Sequence, residues 1–549
     1  MSPLSPTRMV GSSSRSLFDM LSTDILLLIL SVSTPATIRQ CQRVCCFLRD
    51  LVHSDMYLQY LLELDTYGYT EPLNPRRDLG YAEKIALLRD HTSRWRNPGI
   101  ISPDYYELPP GRTISPRPFV NGTFVWKAEA DNDSDRICFY QLPSRNKGTE
   151  FKHWSVDLAE FRGFDSLWID PEQELLVVVM KTGTDSGNTI YEIHLRSLGT
   201  GQVHPMAATE HSVLYYSTIL GSLRIEVIGH SLAAITSSSL PHAVRTVVWD
   251  WATGQQLSYL AYEGSSQLEL LSEKSFVVSQ TSDPDPFSPG GSSGCLKLYQ
   301  FGYTQDARSN QAIHTASFEL PVNTSEDTIS EIKLYAAPNT ATKSGYYTST
   351  KVYDQRPSDR LLRIEVLAPP KYFYHGGAAL KTIYAPVSAL MHLFPNARPE
   401  ATDPLNCLII PWDRWSNRTS WTADAEPAGN SCVRMSGWRA VIIKQSLGVG
   451  PSNLSILEFC QKRLGSRGTG VSSRYASQEV DMSPGDQKIN KVSGDKFVSA
   501  KTSWTLRSVS PSSMMEWYDR PWVDEEHLIQ RKMVMSGSAP RHILMDYSF

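Results

Sequence analysis

The spacing of apolar residues along this chain changes character once, near residue 120. Between residues 17 and 97 apolar residues recur every three or four positions, as they do on one face of an α-helix. Beyond residue 120 they recur every second position or in short blocks, separated by clusters of Gly, Pro, Asn, Asp and Ser, which is typical of strands and turns. The pattern therefore predicts a mainly β protein with a small all-α unit at its N-terminal end.

The helical part contains five candidate helices. The first is predicted to begin at Ser22 or Thr23, the second at Thr34-Pro35 and the fourth at Ser54-Asp55. The third is indicated by apolar residues from Phe47 to Val52, and the fifth by those from Tyr81 to Trp95. The body of the first helix, Ile25 to Leu30, is apolar on every side, so it needs burial on more than one side. A unit this small cannot cover that helix alone, which predicts that another protein covers part of it.

Weak repetition with a period near fifty residues runs through the β-rich part. Each unit shows a strand, a turn, an apolar strand, a variable loop and a further strand closed by a polar or Gly-containing turn. This period is that of a four-stranded propeller blade. Val248-Trp249-Asp250-Trp251 resembles the end of a WD-type blade strand, and Gly229-His230 resembles its early Gly-His pair. The length allows six to eight blades; a β-sandwich or two smaller β-domains are the alternatives.

The same patterns divide the chain into segments. We expect a disordered tail at 1–16, a helical domain at 17–64, a helical linker at 65–99 and a β-propeller-like binding domain at 100–549, with a polar, low-complexity insertion at 465–500. Asp283 to Gly294 is predicted to be a second long loop. If the last strand completes the first blade, the C-terminal residues are structural.

Composition narrows the possible classes of function. The net charge of −4 over 549 residues argues against a nucleic-acid binder, which usually carries a strongly basic face. No apolar run reaches the roughly 18 residues that cross a bilayer, so no membrane anchor is predicted. The N-terminal segment MSPLSPTRMVGSSSRS is polar and no small-residue cleavage site follows a longer apolar run, so no signal peptide is predicted either. Eight cysteines without a C-x-x-C pair favour a reducing, intracellular compartment, either cytoplasmic or nuclear.

No catalytic or cofactor-binding motif emerges. Cys41, Cys45 and Cys46 lie at helical spacing, but no second ligand pair accompanies them, so packing is favoured over metal binding, and no cofactor is predicted. Histidines are scattered through the strand region without selecting a triad, which leaves a propeller-fold hydrolase open as an alternative. Trp412, Arg414 and Trp415 form an aromatic and basic cluster of the type that anchors interfaces, and they are the candidate client-binding patch. The alternative is packing of the tryptophans between blades.

Two stretches of the helical part carry a family resemblance. LSTDILLLILS from Leu21 and VCCFLRDLV from Val44 resemble the L-P-x-E-[LI]-L-x-x-I-L start and the V-C-[RK]-x-[FW]-[RK]-x-L-[VA] finish of an F-box, and the following helix resembles that of fungal F-box proteins. The match covers about forty-five residues. Ser22 stands where the family usually has proline, and Asp24 where it often has glutamate.

The resemblance implies a three-helix module that docks on a Skp-type adaptor and, through it, on a cullin. The positions that match, which together supply core and docking surface, are Leu21, Ile25, Leu26, Ile29, Leu30, Val44, Leu48, Leu51 and Val52. The function expected on this basis is that of a substrate receptor in an SCF-type ubiquitin ligase, a non-catalytic subunit that presents an unknown client protein on its β-domain. A propeller-fold hydrolase and a non-degradative interaction scaffold are the alternatives.

Overall fold

The structure is a computed structural model of the whole chain. It describes residues 21–96, 103–113, 118–128, 136–161, 163–185, 188–208, 211–216, 222–239, 242–263, 267–281, 294–302, 312–321, 329, 331–337, 350–356, 359–367, 380–391, 408–416, 419–424, 431–444, 452–459, 500–506, 516–518, 522–536 and 539–549. The predicted tail at 1–16, the polar insertion at 465–499 and most of the loop between Asp283 and Gly294 lie outside these residues. None of the described helices is long and apolar enough to cross a membrane.

Five helices occupy the positions predicted for them. They are α1 (Thr23–Ser31), α2 (Pro35–Val44), α3 (Cys46–Ser54), α4 (Met56–Tyr67) and α5 (Tyr81–Arg96). Side-chain oxygens of Ser22, Thr34 and Asp55 accept bonds from backbone N–H groups in the first turns of α1, α2 and α4, which leaves fewer N–H groups without a partner. Gly68 ends α4 in the left-handed conformation (φ 79°), which a side chain would strain.

The β-rich part forms seven sheets of four or five strands. In chain order the strands are β1 (Tyr69–Thr70), β2 (Asp104–Leu108), β3 (Gly111–Arg112), β4 (Phe119–Val120), β5 (Thr123–Ala128), β6 (Arg136–Gln141), β7 (Lys152–Asp157), β8 (Ser166–Asp170), β9 (Leu175–Asp185), β10 (Asn188–Ser197), β11 (His211–Tyr216), β12 (Ser222–Ile228), β13 (Ser231–Ser239), β14 (His242–Asp250), β15 (Gln256–Glu263), β16 (Leu268–Ser272), β17 (Ser275–Thr281), β18 (Gly294–Gln300), β19 (Ile313–Glu319), β20 (Glu331–Ala336), β21 (Asp354–Gln355), β22 (Leu361–Leu367), β23 (Leu380–Pro386), β24 (Leu408–Ile410), β25 (Ser420–Asp424), β26 (Ser431–Ser436), β27 (Arg439–Lys444), β28 (Ser452–Glu458), β29 (Ala500–Leu506), β30 (Glu516–Tyr518), β31 (Trp522–Val523), β32 (His527–Ser536) and β33 (Ala539–Ser548).

These sheets are the blades of a seven-bladed β-propeller. Blade 1 holds β3 to β7, blade 2 β8 to β11, blade 3 β12 to β15, blade 4 β16 to β19 with β24 added in parallel, blade 5 β20, β22, β23 and β25, and blade 6 β26 to β29. A sandwich consists of two packed sheets, so the division of the strands among seven separate sheets of four or five strands excludes that alternative. The mainly β fold class is therefore confirmed, and the range of six to eight blades resolves to seven.

Blade 7 closes the ring by combining the two ends of the described propeller. It contains β30 to β33, and β2 pairs antiparallel with β33, where Tyr106 faces Leu544. The final strand is thus structural, as expected, although it completes the last blade with an N-terminal strand. Closure of this kind ties the N-terminal strand of the propeller to its last blade through backbone hydrogen bonds.

Polar side chains connect the first strands of successive blades. Glu226 of blade 3 accepts a bond from the backbone N–H of Leu270 in blade 4 (2.9 Å), and Glu269 of blade 4 accepts one from Ala336 in blade 5 (3.2 Å). The Arg224 guanidinium lies between both carboxylates, 3.2 Å from Glu226 and 2.7 Å from Glu269. Backbone groups at these strand edges would otherwise be buried without a partner.

The helical part packs against the propeller through α4, β1 and α5. Tyr69 of β1 pairs with Gln355 of β21, and its ring packs edge-on against Trp438. Trp95 of α5 stacks on Phe549, with ring centroids 4.1 Å apart, and donates to the carbonyl of Glu525. The region 65–99, predicted as a linker, therefore contributes α5 and β1 to the propeller's packing.

Candidate docking surface

Helix α1 buries one side and exposes apolar residues on the other. Leu26 and Leu30 are each 4% exposed and pack in a small core with side chains of α2, α3 and α4. On the opposite side, Ile25, Leu28 and Ile29 are 46%, 66% and 48% exposed. Half the circumference of an apolar helix is thus left uncovered by the described part of its own chain.

The neighbouring helices extend this exposure. We call the following eight side chains the apolar surface: Leu21, Ile25, Leu28, Ile29, Val32, Val44, Phe47 and Met56. They are eight of the sixteen exposed large apolar side chains among the described residues, and they lie within 36 residues. Scattered exposed apolar residues are normal, whereas such a concentration marks an interaction site.

The structure divides the nine residues that the resemblance left undivided. Leu26, Leu30, Leu48, Leu51 and Val52 form the core, whereas Leu21, Ile25, Ile29 and Val44 are exposed. Sequence reasoning missed Leu28, Val32, Phe47 and Met56. Helical spacing contained the signal for Leu28, because a residue two positions from both Leu26 and Leu30 lies on the far side of the helix.

Charged groups lie around the apolar surface without strong ion pairs. Arg49 and Asp50 are 3.8 Å apart, and both side chains are more than half exposed, so water screens their attraction. Cys45 and Cys46 are exposed and Cys41 is half-buried against the helical core. No group of three or more His, Cys, Asp or Glu residues in the described part of the chain is arranged to hold a metal ion.

A buried ionic cluster in the propeller pairs a histidine with an aspartate, a combination that also occurs in catalytic triads. His527 Nδ1 lies 3.1 Å from Asp524 Oδ1, and its Nε2 lies 2.9 Å from the carbonyl oxygen of Pro143. Burial alone would lower the pKa of His527, but attraction to Asp524 and Asp546 raises it to about 10. Both ring nitrogens therefore donate, and the imidazolium has no lone pair with which to act as a base.

A second contact brings a serine to a histidine without completing a triad. Ser317 Oγ lies 3.1 Å from His314 Nε2, but that nitrogen is also 3.1 Å from the carbonyl oxygen of Ala316, to which it donates. Burial and then the charge of Lys297 lower the pKa of His314. A triad needs a carboxylate at the other ring nitrogen; here the charged neighbour that shifts the histidine is a cation.

The tryptophans of the predicted client-binding patch contribute to packing between blades. Trp415, in the short helix α7 (Trp412–Trp415) after α6 (Val387–Met391), is fully buried and donates to the carbonyl of Glu319. Trp412 packs edge-on against Trp415 and is partly buried in the same core. Arg414 is exposed. This placement corresponds to the packing alternative, with the arginine at the rim.

Comparison with known proteins links the chain to solved propellers. No protein-family model and no curated protein matches it. The β-propeller domain of the trilobed protease from Pyrococcus furiosus is similar at 9% identity over 80% of this chain and 95% of that one, with a TM-score of 0.36. Pyrococcus horikoshii acylaminoacyl peptidase is similar at 9% identity over 79% of this chain, with a TM-score of 0.35, and the chain spans 52% of its length.

The prediction of a substrate receptor in an SCF-type ubiquitin ligase is wrong. No protein-family model, and therefore no F-box model, matches the chain. The prediction that the chain is a non-catalytic ligase subunit is wrong for the same reason. Five of the nine matched positions, four leucines and Val52, belong to the core of the helical unit, where helical spacing of apolar residues is expected whatever the function, so the pattern alone did not establish a ligase subunit.

Proposed function

We propose that this chain is a protein-interaction scaffold whose N-terminal helices bind a partner protein through the apolar surface. One observation supports the proposal: eight exposed apolar side chains are concentrated on a unit of 36 residues that is attached firmly to a propeller. Burying an apolar side chain of this size contributes about 1.5–3 kcal/mol when it is fully exposed beforehand. Half of that amount for each of the eight side chains is about 6–12 kcal/mol in total, which is of the same order as the loss of about 4–15 kcal/mol on association.

The partner we propose is a Skp-type adaptor. The support is the F-box resemblance, whose matched positions Leu21, Ile25, Ile29 and Val44 are exposed rather than used for the core. Leu28 and Phe47 add apolar area beside them. The proposal concerns this binding event, and it assigns neither a client nor a chemical reaction to the chain.

Binding of the purified full chain to a Skp-type adaptor tests the proposal. We expect Ile25→Asp and Ile29→Asp each to weaken binding about 100-fold, because each places a charge in the buried centre of the complex. Leu30 is unsuitable for this purpose, since it is 4% exposed and its replacement would unfold the helices.

Leu73→Asp is the matched control, because Leu73 is 67% exposed but lies outside the apolar surface. It should bind like the wild type. Failure of the wild-type chain to bind the adaptor, or binding that survives both isoleucine changes, would refute the proposal.

A further inference from the structure

Helix α4 is shared between the docking unit, residues 21–54, and the propeller. Leu58 belongs to the core that also holds Leu26, Leu48 and Val52 of the docking unit. Tyr60 and Leu64, on another side of the same helix, belong to a core built with blades 5 and 6. The orientation of the docking unit relative to the propeller is therefore set at this helix.

Asp65, near the end of α4, connects both bodies through its carboxylate. One oxygen accepts from Arg39 of α2 and the other from Arg356, which follows β21. The Asp65 side chain is 1% exposed, whereas the two arginines are 40% and 21% exposed. Arg39 also donates to the carbonyl of Leu62 (3.1 Å), which fixes its guanidinium beside α4.

The segment 351–356 that carries Arg356 is itself held by blades 1 and 2 and by helix α4. Lys351 pairs with Glu172 of blade 2 at 3.2 Å and with Asp354 at 3.1 Å. Asn146 of blade 1 accepts from the backbone N–H groups of residues 352 and 353, at 2.9 and 3.0 Å. The Tyr60 hydroxyl of α4 donates to the carbonyl of residue 352. Arg356 thus projects from a segment that cannot move independently of the ring.

From these contacts we infer that Asp65 is a positioning residue: by joining Arg39 to Arg356 it fixes the angle at which the docking unit is held against the propeller. Because seven of the eight residues of the apolar surface are on the docking unit, the inference rests on the proposed function and deepens it: a bound adaptor takes one orientation relative to the blades. Asp65 itself is buried away from the apolar surface, so it sets orientation without contributing affinity.

Distance measurements by pulsed electron resonance test this inference. Spin labels are introduced through non-canonical amino acids at Gln40 in the docking unit and Ser155 in blade 1, both exposed positions. The wild-type chain should give one narrow distance distribution. We expect Asp65→Asn to broaden it about twofold, because an uncharged amide no longer holds both arginines and relative motion is the default between weakly tied bodies.

Two further variants keep the test decisive. Arg356→Gln removes the tie from the propeller side, leaves the docking unit intact, and should broaden the distribution in the same way even if Asp65→Asn folds poorly. Glu63→Gln is the control: Glu63 lies on the same helix and pairs with Arg89 without reaching the docking unit, so the distribution should stay narrow.

Adaptor affinity separates orientation from binding. Asp65→Asn and Arg356→Gln should bind a Skp-type adaptor within about twofold of the wild type, since the apolar surface is unchanged. An unchanged distance distribution in both variants would overturn the inference. So would a loss of affinity in both that matches the loss in Ile25→Asp. If the wild-type chain binds no adaptor while the distances behave as expected, the proposed function fails and the positioning role stands.

Discussion

The docking unit leaves many of its apolar side chains exposed, whereas the propeller buries most of its own. In the propeller, apolar residues of neighbouring sheets bury one another, and the ring closes when β2 pairs with β33. In the docking unit, α1 to α3 supply six buried side chains to a core that Leu58 of α4 completes, while seven apolar residues of the unit and Met56 of α4 stay exposed. A ring of seven blades has enough inner surface to cover its own apolar side chains, whereas three short helices do not.

The largest difference that we expect between the two regions is in the free energy of unfolding lost when a phenylalanine is replaced by alanine. Phe276 is fully buried and packs against Tyr299 and Phe301, while Phe47 is 52% exposed. Phe276→Ala should lower the free energy of unfolding by about 3–5 kcal/mol, because it leaves a cavity. Phe47→Ala should change it by less than about 0.5 kcal/mol. Urea unfolding of both variants measures the difference, and equal losses would show that Phe47 belongs to a core.

Replacing the buried His527 and replacing the exposed His53 should change the free energy of unfolding by different amounts, almost as different as for the two phenylalanines. The effect at His527 should also depend on pH. His527→Gln removes a buried cation from two carboxylates and should cost about 3 kcal/mol at pH 6. The pKa of His527 is raised in the folded state to about 10. Its stabilisation is therefore fully present below the unfolded pKa near 6.5 and is lost as pH rises through 10.

Unfolding experiments from pH 6 to pH 10 test whether the stabilisation by His527 decreases as the pH rises. The difference in the free energy of unfolding between the wild type and His527→Gln should decrease steadily from pH 6 to pH 10. His53, on the exposed side of α3, is the control, and His53→Gln should change the free energy of unfolding at pH 6 by less than about 0.5 kcal/mol. A gap that grew with pH would mean that His527 is neutral when the protein is folded.

We expect a smaller difference in the free energy of unfolding when an arginine of each region is replaced by methionine. Arg224→Met leaves the carboxylates of Glu226 and Glu269 facing each other between blades 3 and 4, and should cost about 2 kcal/mol. Arg49→Met breaks an exposed pair and should change the free energy of unfolding by less than about 0.5 kcal/mol. Thermal unfolding of the two variants under identical conditions compares them; similar shifts would contradict the bridging role of Arg224.

Local features of this fold were predictable from sequence, and long-range ones were not. Ser22, Thr34 and Asp55 identified three helix starts because capping depends on neighbouring residues alone. The period near fifty residues indicated blades, but the number of blades could not be counted because the loops vary in length. The tie from Asp65 to Arg356 joins residues 291 positions apart, and no local pattern records it.

The candidate site was partly predictable for the same reason. The apolar first helix indicated a surface in need of cover, and four of the nine matched residues are exposed. Which side of the helix faced outward depended on the packing of Leu26 and Leu30 against α3 and α4. The ligase assignment extended a short helical pattern to a whole activity, and that extension was the error.

Hydroxyl-radical footprinting of the full chain, alone and with a Skp-type adaptor, tests the central claim most directly. It reports the solvent access of Leu28, Phe47 and Met56, which are 66%, 52% and 43% exposed, with Leu73 as the reference. The account predicts rapid oxidation of the three residues in the free chain and strong protection in the complex, while Leu73 stays unchanged. Protection already present in the free chain would contradict it, as would oxidation that the adaptor leaves unaltered.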